Sequence, residues 1–317
     1  FFRWKMRVVL AAARTSAQRL GTRRAFGGLA SQQNIDGLSN DLLISLSMNH
    51  NNDGRTQAEL VANLARNNLL KSDFLIETMT SVDRLHFLLP DQEGMYEDKP
   101  RNIGSNATIT SPHMHAIALQ ALFGDGDIPM GSLALDIGCG SGYLTVCMAS
   151  ILAERDGVAY GIDHARDLVQ SSRRNAERSH PYLVKADALH FFQGDGFLGL
   201  EEKAPFRYIH VGAAVEDIPT ALIDQLAPDG RLLIPVGPEG SDQDLLCIKK
   251  DTQGNTTKEK IMSVVFSRMH IEPPDTEEAK RIQLEEKVKQ LYNEAESLTK
   301  EIRNWQAKFK EEHSSRP

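Results

Sequence analysis

Three glycines at alternate positions follow an apolar run and mark the part of this chain that is best suited to bind a ligand. The segment over 133–142 reads Leu-Ala-Leu-Asp-Ile-Gly-Cys-Gly-Ser-Gly. Its glycines, Gly138, Gly140 and Gly142, allow a sharp backbone turn and let a ligand lie against bare peptide. An apolar strand that leads into such a loop and then into a helix is typical of a nucleotide-binding crossover. An ordinary tight turn can give the same pattern, so the neighbouring residues must decide.

Two acids at the ends of later apolar runs support a nucleoside site. Asp163 ends a candidate strand in Tyr-Gly-Ile-Asp-His, where a carboxylate can accept hydrogen bonds from both hydroxyls of a ribose. Asp195 in Gln-Gly-Asp-Gly follows the next strand, where it or its neighbour can meet an adenine amine. The alternative interpretations are a helix cap for Asp163 and a turn residue for Asp195. The glycine loop and both acids together favour the nucleoside.

The elements that must position these residues alternate between strand and helix. Candidate strands are 133–137, 158–163, 189–193, 208–212, 231–236, 245–249 and 261–268, and candidate helices are 143–152, 165–179 and 219–226. This alternation predicts an α/β fold, a doubly wound Rossmann-like sheet that is mostly parallel and covered on both faces. The last two strands have only a polar turn between them, which predicts an antiparallel edge.

The segment before the sheet is predicted to be helical. Leucines and other apolar residues recur at three- and four-residue steps over 56–89, and Ser72 could cap a second helix. A turn-rich segment over 90–104 follows, and then a helix over 113–122.

Composition narrows the class of protein. The chain has 317 residues, 41% hydrophobic and 25% charged, which is typical of a soluble globular protein, and no apolar run approaches the roughly 20 residues of a membrane span. Its cysteines, Cys139, Cys147 and Cys247, form no CxxC pair, which predicts reduced, packed thiols.

The two ends of the chain differ in composition from its centre. Residues 1–35 carry seven Lys or Arg and no acid, as in a mitochondrial transit peptide, although a disordered basic tail is the alternative. A polar linker is predicted over 36–55. The rest of the chain has 29 basic and 43 acidic residues, a net charge of about −14, which argues against nucleic acid as the main partner.

The carboxy-terminal segment over 276–312 is predicted to form an amphipathic helix with coiled-coil periodicity. Its apolar residues alternate four- and three-residue steps: Leu284, Val288, Leu291, Ala295, Leu298, Ile302, Trp305 and Phe309. Such a helix could pair with a partner helix, associate with a second copy or fold back onto its own domain.

Residues 57–270 resemble the protein-L-isoaspartate (D-aspartate) O-methyltransferase family of repair enzymes. The resemblance is carried by the glycine loop, Gly-Ile-Asp-His (161–164) and Ile-His-Val-Gly-Ala-Ala (209–214). Two other segments are more specific to this family: Ile-Gly-Ser-Asn-Ala-Thr-Ile-Thr-Ser-Pro-His-Met-His-Ala (103–116) and residues 221–238. It implies a catalytic domain over 56–275 and S-adenosylmethionine as cofactor.

The resemblance also implies site residues. The cofactor would contact Ala107, Thr108, Ile109, Thr110, His115, Asp136, Gly138, Gly140, Ser141, Gly142, Asp163, His164, Asp195 and Gly196. The substrate would contact Thr110, Ser111 and His115, with Thr110 as the catalytic hydroxyl in place of the family's serine. A capping pair before Pro112 is the alternative for Thr110 and Ser111, and a metal pair is the less favoured one for His113 and His115.

The reaction that the resemblance implies needs little acid–base chemistry. An isoaspartyl residue has a free α-carboxylate that is ionised at neutral pH, and the chain shows no Ser-His-Asp or paired-acid signature. Positioning of the carboxylate and exclusion of water are therefore the expected sources of rate. The resemblance further implies that the ester collapses spontaneously to a succinimide, which gives net repair of isoaspartyl proteins and peptides.

Two departures from the family pattern keep other functions open. They are Thr110 itself and Ser-Arg-Met-His (267–270) in place of the family's Val-Pro-Leu-Thr-Asp-like stretch. One alternative is a methyltransferase of the same fold with another acceptor. The other is a cofactor-binding adaptor that acts through its carboxy-terminal helix. The chain itself is expected in mitochondria, with the cytoplasm as the alternative location.

Overall fold

The computed structural model describes residues 52–90, 92–238 and 241–269. The predictions of a basic leader over 1–35 and a heptad helix over 276–312 lie outside the described residues, as does most of the linker over 36–55. No helix of the described part is long and apolar enough to cross a membrane.

The amino-terminal elements are helical, with one hairpin. In chain order they are helices α1 (Gln57–Arg66) and α2 (Asp73–Ser81), a 3-10 turn (Arg84–Phe87), strands β1 (Arg101–Gly104) and β2 (Ala107–Ile109), and helix α3 (Pro112–Phe123). The helical segment before the sheet is thus confirmed. Ser72 is the N-cap of α2, but its hydroxyl donates to Gly124 O (3.0 Å) and not to the helix.

The strands and helices that follow form the α/β part. They are β3 (Leu133–Ile137), α4 (Tyr143–Ala153), β4 (Val158–Asp163), α5 (Arg166–Ser179), α6 (Pro181–Lys185), β5 (Leu189–Gln193), β6 (Phe206–Val211), α7 (Thr220–Asp224), β7 (Leu226–Val236), β8 (Gln243–Lys250) and β9 (Thr256–Val264). The first three strands have the predicted bounds.

One seven-stranded sheet has the order β5-β4-β3-β6-β7-β8-β9. The strands from β5 to β7 are parallel, while β7–β8 and β8–β9 are antiparallel. The mostly parallel sheet and its antiparallel edge are therefore confirmed. Neighbouring residues of β3 face opposite sides: Ala134 belongs to the core under α1 to α5, and Leu135 belongs to the core on the other face.

The later strands are longer than predicted at their amino-terminal ends. Strand β7 begins at Leu226, which pairs with Phe206 before a register shift. Within the strand, Asp229 at positive φ and Gly230 interrupt the apolar pattern, so the sequence did not indicate this first part. Strand β9 covers Thr256–Val264 instead of 261–268. Its first residues are exposed and polar, as is usual for an edge strand, so they carry no apolar signal.

Candidate active site

The candidate site lies at the carboxyl ends of the central parallel strands. Strand β3 pairs with β4 on one side and with β6 on the other. The chain leaves β3 towards β4, so the sheet changes direction between β3 and β6. In open α/β sheets such a switch point forms the crevice in which ligands bind.

The glycines of the loop after β3 have two different structural roles. All three glycines have positive φ, at +73° for Gly138, +53° for Gly140 and +85° for Gly142. A Cβ on Gly142 would lie 2.9 Å from Ser172 Cβ and 3.0 Å from Phe191 Cζ, so this glycine permits helix–strand packing. A Cβ on Gly138 would meet no atom outside its neighbours closer than 3.8 Å. Gly138 therefore leaves the open backbone that a ligand can approach.

Asp163 fixes the glycine loop and the start of α5 together. Its Oδ2 accepts the N–H of Gly140 (3.0 Å) and its Oδ1 accepts the N–H of Ala165 (3.1 Å), with the side chain 4% exposed. The helix-entry role that the sequence offered as an alternative is thus present. Each carboxylate oxygen has a second lone pair, so ribose hydroxyls could still bind. His164 is half-buried, with Nδ1 3.3 Å from Asp163 Oδ1.

Asp136 has two protein partners that the sequence did not indicate. His210 Nδ1 lies 2.8 Å from its Oδ1, and the Thr145 hydroxyl donates to its Oδ2 at 2.6 Å. Asp136 is 1% exposed and lies opposite His210 in the sheet register. The geometry therefore assigns Asp136 to holding β3, β6 and α4 together beneath the loop, where each of its carboxylate oxygens already has one hydrogen-bond partner in the protein.

The turn after β5 is covered by the carboxy-terminal part of the domain. Asp195 Oδ1 accepts the N–H of Phe197 (2.8 Å), which is the turn geometry offered as the alternative. A Cβ on Gly196 would lie 2.7 Å from Ile137 Cγ2 and 2.9 Å from Met269 Sδ. Met269 N donates to Ala214 O (2.8 Å). The chain's departure from the family pattern at 267–270 is thus packed against this turn as far as Met269.

The β1–β2 hairpin lies against the glycine loop. The sequence predicted only a turn-rich segment over 90–104 and gave no sign of the two strands of the hairpin. Ile103 Cδ1 would be 3.1 Å from a Cβ on Gly140. Ala107 is half-buried, Thr108 is exposed and Ile109 is buried. The hairpin strands have only four and three residues, too short for a visible alternation. This contact brings the segment that leads to the catalytic candidate to the same edge of the sheet.

Thr110 follows the hairpin and is held by a buried cation. Arg84 donates from Nη1 to Thr110 O (3.0 Å) and from Nη2 to Lys99 O (2.9 Å). Arg84 is 1% exposed, and burial lowers its pKa to about 10, so it remains charged at neutral pH. Sequence reasoning missed this residue, because an arginine among apolar helical residues gives no local signal.

His115 is a neutral buried side chain. Its ring centroid lies 4.7 Å from that of Tyr143, and the residue is 6% exposed. Burial, assisted by Arg84, His210 and His113, lowers the pKa of His115 well below its ordinary value. Its Nδ1 has no hydrogen-bond partner among the described residues. A hydrogen-bonding group of a ligand can satisfy this nitrogen.

Ser111 belongs to a hydrogen-bonded chain, contrary to the expectation that no Ser-His-Asp set exists. Ser111 Oγ lies 3.2 Å from His113 Nε2, and His113 Nδ1 lies 3.0 Å from both carboxylate oxygens of Asp98. Ser111 is the N-cap of α3 but makes no side-chain cap bond. The capping alternative is therefore wrong for its hydroxyl. The sequence did not indicate this set of residues, because Asp98 lies fifteen residues before His113, on the other side of the hairpin.

The remaining candidates have packing contacts. Ser141 is 4% exposed, and its carbonyl accepts the Asn175 amide (3.1 Å). The cysteines Cys139, Cys147 and Cys247 are buried and unpaired, and burial raises the pKa of each. These thiols pack, as the sequence predicted.

The sheet order and the loop at its switch point define the Rossmann-like fold of S-adenosylmethionine-dependent methyltransferases. Residues 55–270 match the sequence profile of the protein-L-isoaspartate(D-aspartate) O-methyltransferase family. The chain therefore belongs to that family, and it is an S-adenosylmethionine-dependent methyltransferase.

Individual relatives agree with this assignment. A Caenorhabditis elegans protein-L-isoaspartate O-methyltransferase is 43% identical over 197 residues, covering 62% of this chain and 85% of the relative. Protein-L-isoaspartate O-methyltransferase 1 of Arabidopsis thaliana is 43% identical over 209 residues, covering 65% and 88%. A Plasmodium falciparum protein-L-isoaspartate O-methyltransferase, solved with S-adenosyl-L-homocysteine, is 34% identical with a TM-score of 0.62, covering 68% of this chain and 99% of that one.

Proposed function

We propose that this protein repairs damaged proteins by transferring a methyl group from S-adenosylmethionine to the α-carboxylate of L-isoaspartyl and D-aspartyl residues. Family membership supports the reaction. The single structural observation that carries it is the contact between Ile103 of the hairpin and Gly140, which brings the cofactor loop and the Thr110 segment to one edge of the sheet.

The cofactor-binding part of the proposal rests on the fit of the loop. S-adenosylmethionine supplies an electrophilic methyl group on a sulfonium centre. Gly138 offers open backbone, Asp163 has unused lone pairs for the ribose, and His115 Nδ1 is available for one further bond. The backbone of the loop, Asp163 with His164, Asp195 with Gly196, and the Ala107–Thr110 segment would surround the adenosyl group, while Asp136 would act through the loop.

The acceptor part of the proposal assigns Thr110 the catalytic position. A carboxylate needs no general base, so the work of the site is to hold one oxygen in line with the methyl group and to exclude water. Such positioning contributes roughly 7–11 kcal/mol to reactions of this kind. The bond from Arg84 to the Thr110 carbonyl fixes the backbone of this residue. We expect the neighbouring residue, Ser111, to contact the substrate as well.

A methyl-transfer assay tests this function. The full chain is given S-adenosylmethionine with an isoaspartyl peptide or with its normal aspartyl twin, and only the first should be methylated. We expect Thr110→Ala to lose nearly all turnover and Thr110→Ser to retain or increase it, because serine keeps the hydroxyl without the methyl group that stiffens the rotamer. Equal methylation of the twin would favour the other acceptor, and unchanged turnover in Thr110→Ala would remove Thr110 from the mechanism.

The substrate is proposed to be flexible peptide and not nucleic acid. The chain outside residues 1–35 carries a net charge of about −14, which repels polyanions. In a competition assay, single-stranded RNA should leave isoaspartyl methylation unchanged. Inhibition that weakens with salt would contradict this proposal.

The basic leader supports a mitochondrial location. Residues 1–35 combine seven Lys or Arg with no acid. A fluorescent protein fused after residue 35 should enter mitochondria, and a version with the arginines of the leader changed to glutamine should remain in the cytoplasm. A cytoplasmic signal from the unchanged fusion would refute the proposal.

The heptad positions over 284–309 support a helix that pairs with another helix. Sedimentation of the full chain against a version with Leu291→Glu and Leu298→Glu tests this. A monomeric mass for the unchanged chain would exclude self-association, and loss of association in the double variant would assign it to the heptad face.

A further inference from the structure

Arg84 is a buried cation that forms no ion pair with any carboxylate of the described residues. The residue is 1% exposed, and its pKa of about 10 keeps it charged at neutral pH. Its Nε has no hydrogen-bond partner in the described part of the chain. A buried charge without a counter-ion destabilises a fold, so this one is expected to have a role in the site.

The guanidinium of Arg84 holds the two ends of the β1–β2 hairpin. Nη2 donates to the carbonyl of Lys99 (2.9 Å), two residues before β1, and Nη1 donates to that of Thr110 (3.0 Å), directly after β2. An arginine can bond both carbonyls from separate nitrogens of one rigid plane, whereas a lysine has a single nitrogen. Because Ile103 of the hairpin contacts Gly140, these bonds fix the position of Thr110 relative to the glycine loop.

The charge of Arg84 acts on two residues that border the site. Burial is the main cause of the low pKa of His115, and the positive charge of Arg84 is the next cause. Burial raises the pKa of Tyr143, and the charge of Arg84 opposes this rise. His115 lies on α3, shortly after Thr110, and Tyr143 begins α4 directly after the glycine loop. The field of Arg84 therefore reaches both the acceptor segment and the cofactor loop.

The charges next to Arg84 do not cancel its own. Burial has the largest effect on its pKa, while Asp98 attracts the guanidinium and Arg101 repels it. The oxygens of Asp98 already accept hydrogen bonds from Asn52 (2.7 Å) and from the backbone N–H of His113 (2.8 Å). A further anion beside Thr110 would therefore be stabilised by Arg84.

We propose that Arg84 positions the acceptor and selects an ionised carboxylate, because its two nitrogens fix Thr110 and its charge attracts an anion and repels a cation. The isoaspartyl α-carboxylate is the counter-ion that the protein itself does not supply. The sulfonium of S-adenosylmethionine is repelled, and this repulsion disappears when the methyl group leaves. Arg84 acts through Thr110 and through its field, without contact to the reacting atoms. This inference rests on the proposed function, which supplies the acceptor.

Two substitutions separate the charge from the two-nitrogen geometry. Arg84→Gln removes the charge and keeps an amide that can donate to one carbonyl, while Arg84→Lys keeps the charge and has a single nitrogen. Calorimetry on the full chain without acceptor gives the affinities for S-adenosylmethionine and S-adenosylhomocysteine. In Arg84→Gln their ratio should shift about 10-fold towards S-adenosylmethionine, as for two charges about 12 Å apart at an effective dielectric constant of about 20.

Kinetics with the isoaspartyl peptide give the second measurement. Arg84→Gln should raise the KM of the peptide about 10-fold, because the attraction for its carboxylate is lost. Arg84→Lys should leave KM nearly unchanged and lower kcat about 10-fold, because one nitrogen cannot hold both carbonyls in the same geometry. A role in folding alone would change neither the affinity ratio nor the division between KM and kcat.

The matched control is Arg207→Gln. Arg207 also donates to a backbone carbonyl, that of Pro228 (3.1 Å), and its Nε likewise has no partner among the described residues. It lies near the amino-terminal end of β6, away from the site, with carboxylate oxygens of Asp127 and Asp229 each 3.8 Å away. The control should keep the affinity ratio and KM of the unchanged protein.

The two variants of Arg84 can overturn the proposal separately. An unchanged affinity ratio or an unchanged KM in Arg84→Gln would exclude the effect of the charge. An unchanged kcat in Arg84→Lys would exclude the positioning of Thr110, and this result decides if Arg84→Gln does not fold. If the unchanged protein methylates no isoaspartyl peptide, the proposed function is refuted, while the affinity ratio still tests Arg84.

Discussion

Alanine substitutions at two glycines of the loop, made one at a time, separate an effect on the stability of the fold from an effect on ligand binding. Gly138 and Gly142 both have positive φ, so alanine at either position costs about 1–2 kcal/mol of backbone strain. At Gly142 the new Cβ would also lie 2.9 Å from Ser172 Cβ and 3.0 Å from Phe191 Cζ. Overpacking of this kind costs a further 1–3 kcal/mol or so. At Gly138 the nearest atom, Gly212 C, is 3.8 Å away.

The expected magnitudes differ accordingly. Gly142→Ala should lower the free energy of unfolding by about 2–5 kcal/mol, and Gly138→Ala by about 1–2 kcal/mol. For a domain of this size the Tm should fall by roughly 4–20 °C and 2–8 °C respectively. Cofactor affinity should show the reverse order. A methyl group that meets the ligand at Gly138 costs about 1–3 kcal/mol, a loss of affinity of about 5- to 150-fold.

Two measurements check this reasoning on the same protein samples. Thermal unfolding without ligand gives the order of stability, and calorimetry with S-adenosylhomocysteine gives the affinities. The reasoning is refuted if Gly142→Ala is as stable as Gly138→Ala, or if Gly138→Ala binds the ligand as tightly as the unchanged protein.

Two further changes probe the supports of the site. Thr145→Val removes the hydroxyl that donates to buried Asp136 and should destabilise the fold by about 1.5–3 kcal/mol; Thr145→Ser is the control, and equal Tm values for both variants would contradict the role. Burial, with His86 nearby, lowers the pKa of His180 from 6.5 to about 4, so the unfolded chain binds the proton first. The stability due to neutral His180 is complete above pH 6.5 and falls by about 3 kcal/mol on reaching pH 4. Urea titrations at several pH values give the free energy of unfolding of the unchanged protein and of His180→Gln. Between pH 6.5 and pH 4 the free energy should fall less steeply for His180→Gln, and equal pH dependence of the two proteins would contradict this role of His180.

The sequence could predict the parts of the site that depend on local pattern. The bounds of β3, β4 and β5 were correct because buried parallel strands are short apolar runs that end at glycine or acid. The glycine loop before α4 was also predicted correctly, because its signal lies in neighbouring residues. Asp163 was found for this reason, although its contacts to Gly140 N and Ala165 N were not foreseen as a joint role.

The parts that depend on distant partners could not be predicted. Asp136 and His210 are 74 residues apart and meet only through the register of β3 and β6. Asp98 reaches His113 because the β1–β2 hairpin folds back on the start of α3. Arg84 reaches Thr110 across the same hairpin. In each case the residue types were visible, but neither periodicity nor spacing indicates which polar side chains will share a buried contact.

The buried charges of the site are suited to a reaction in which charge disappears. Arg84 is fixed beside the acceptor segment, and Asp163 is fixed beside the cofactor loop, each almost fully buried. A cationic cofactor and an anionic acceptor are attracted to these two segments, and methyl transfer converts them to neutral products. Exclusion of water then raises the separated charges in energy more than the transition state, where both are already reduced. Neutral His115 adds no charge that would have to be compensated. The site can therefore accelerate the transfer by excluding water and by positioning the carboxylate, without a general base.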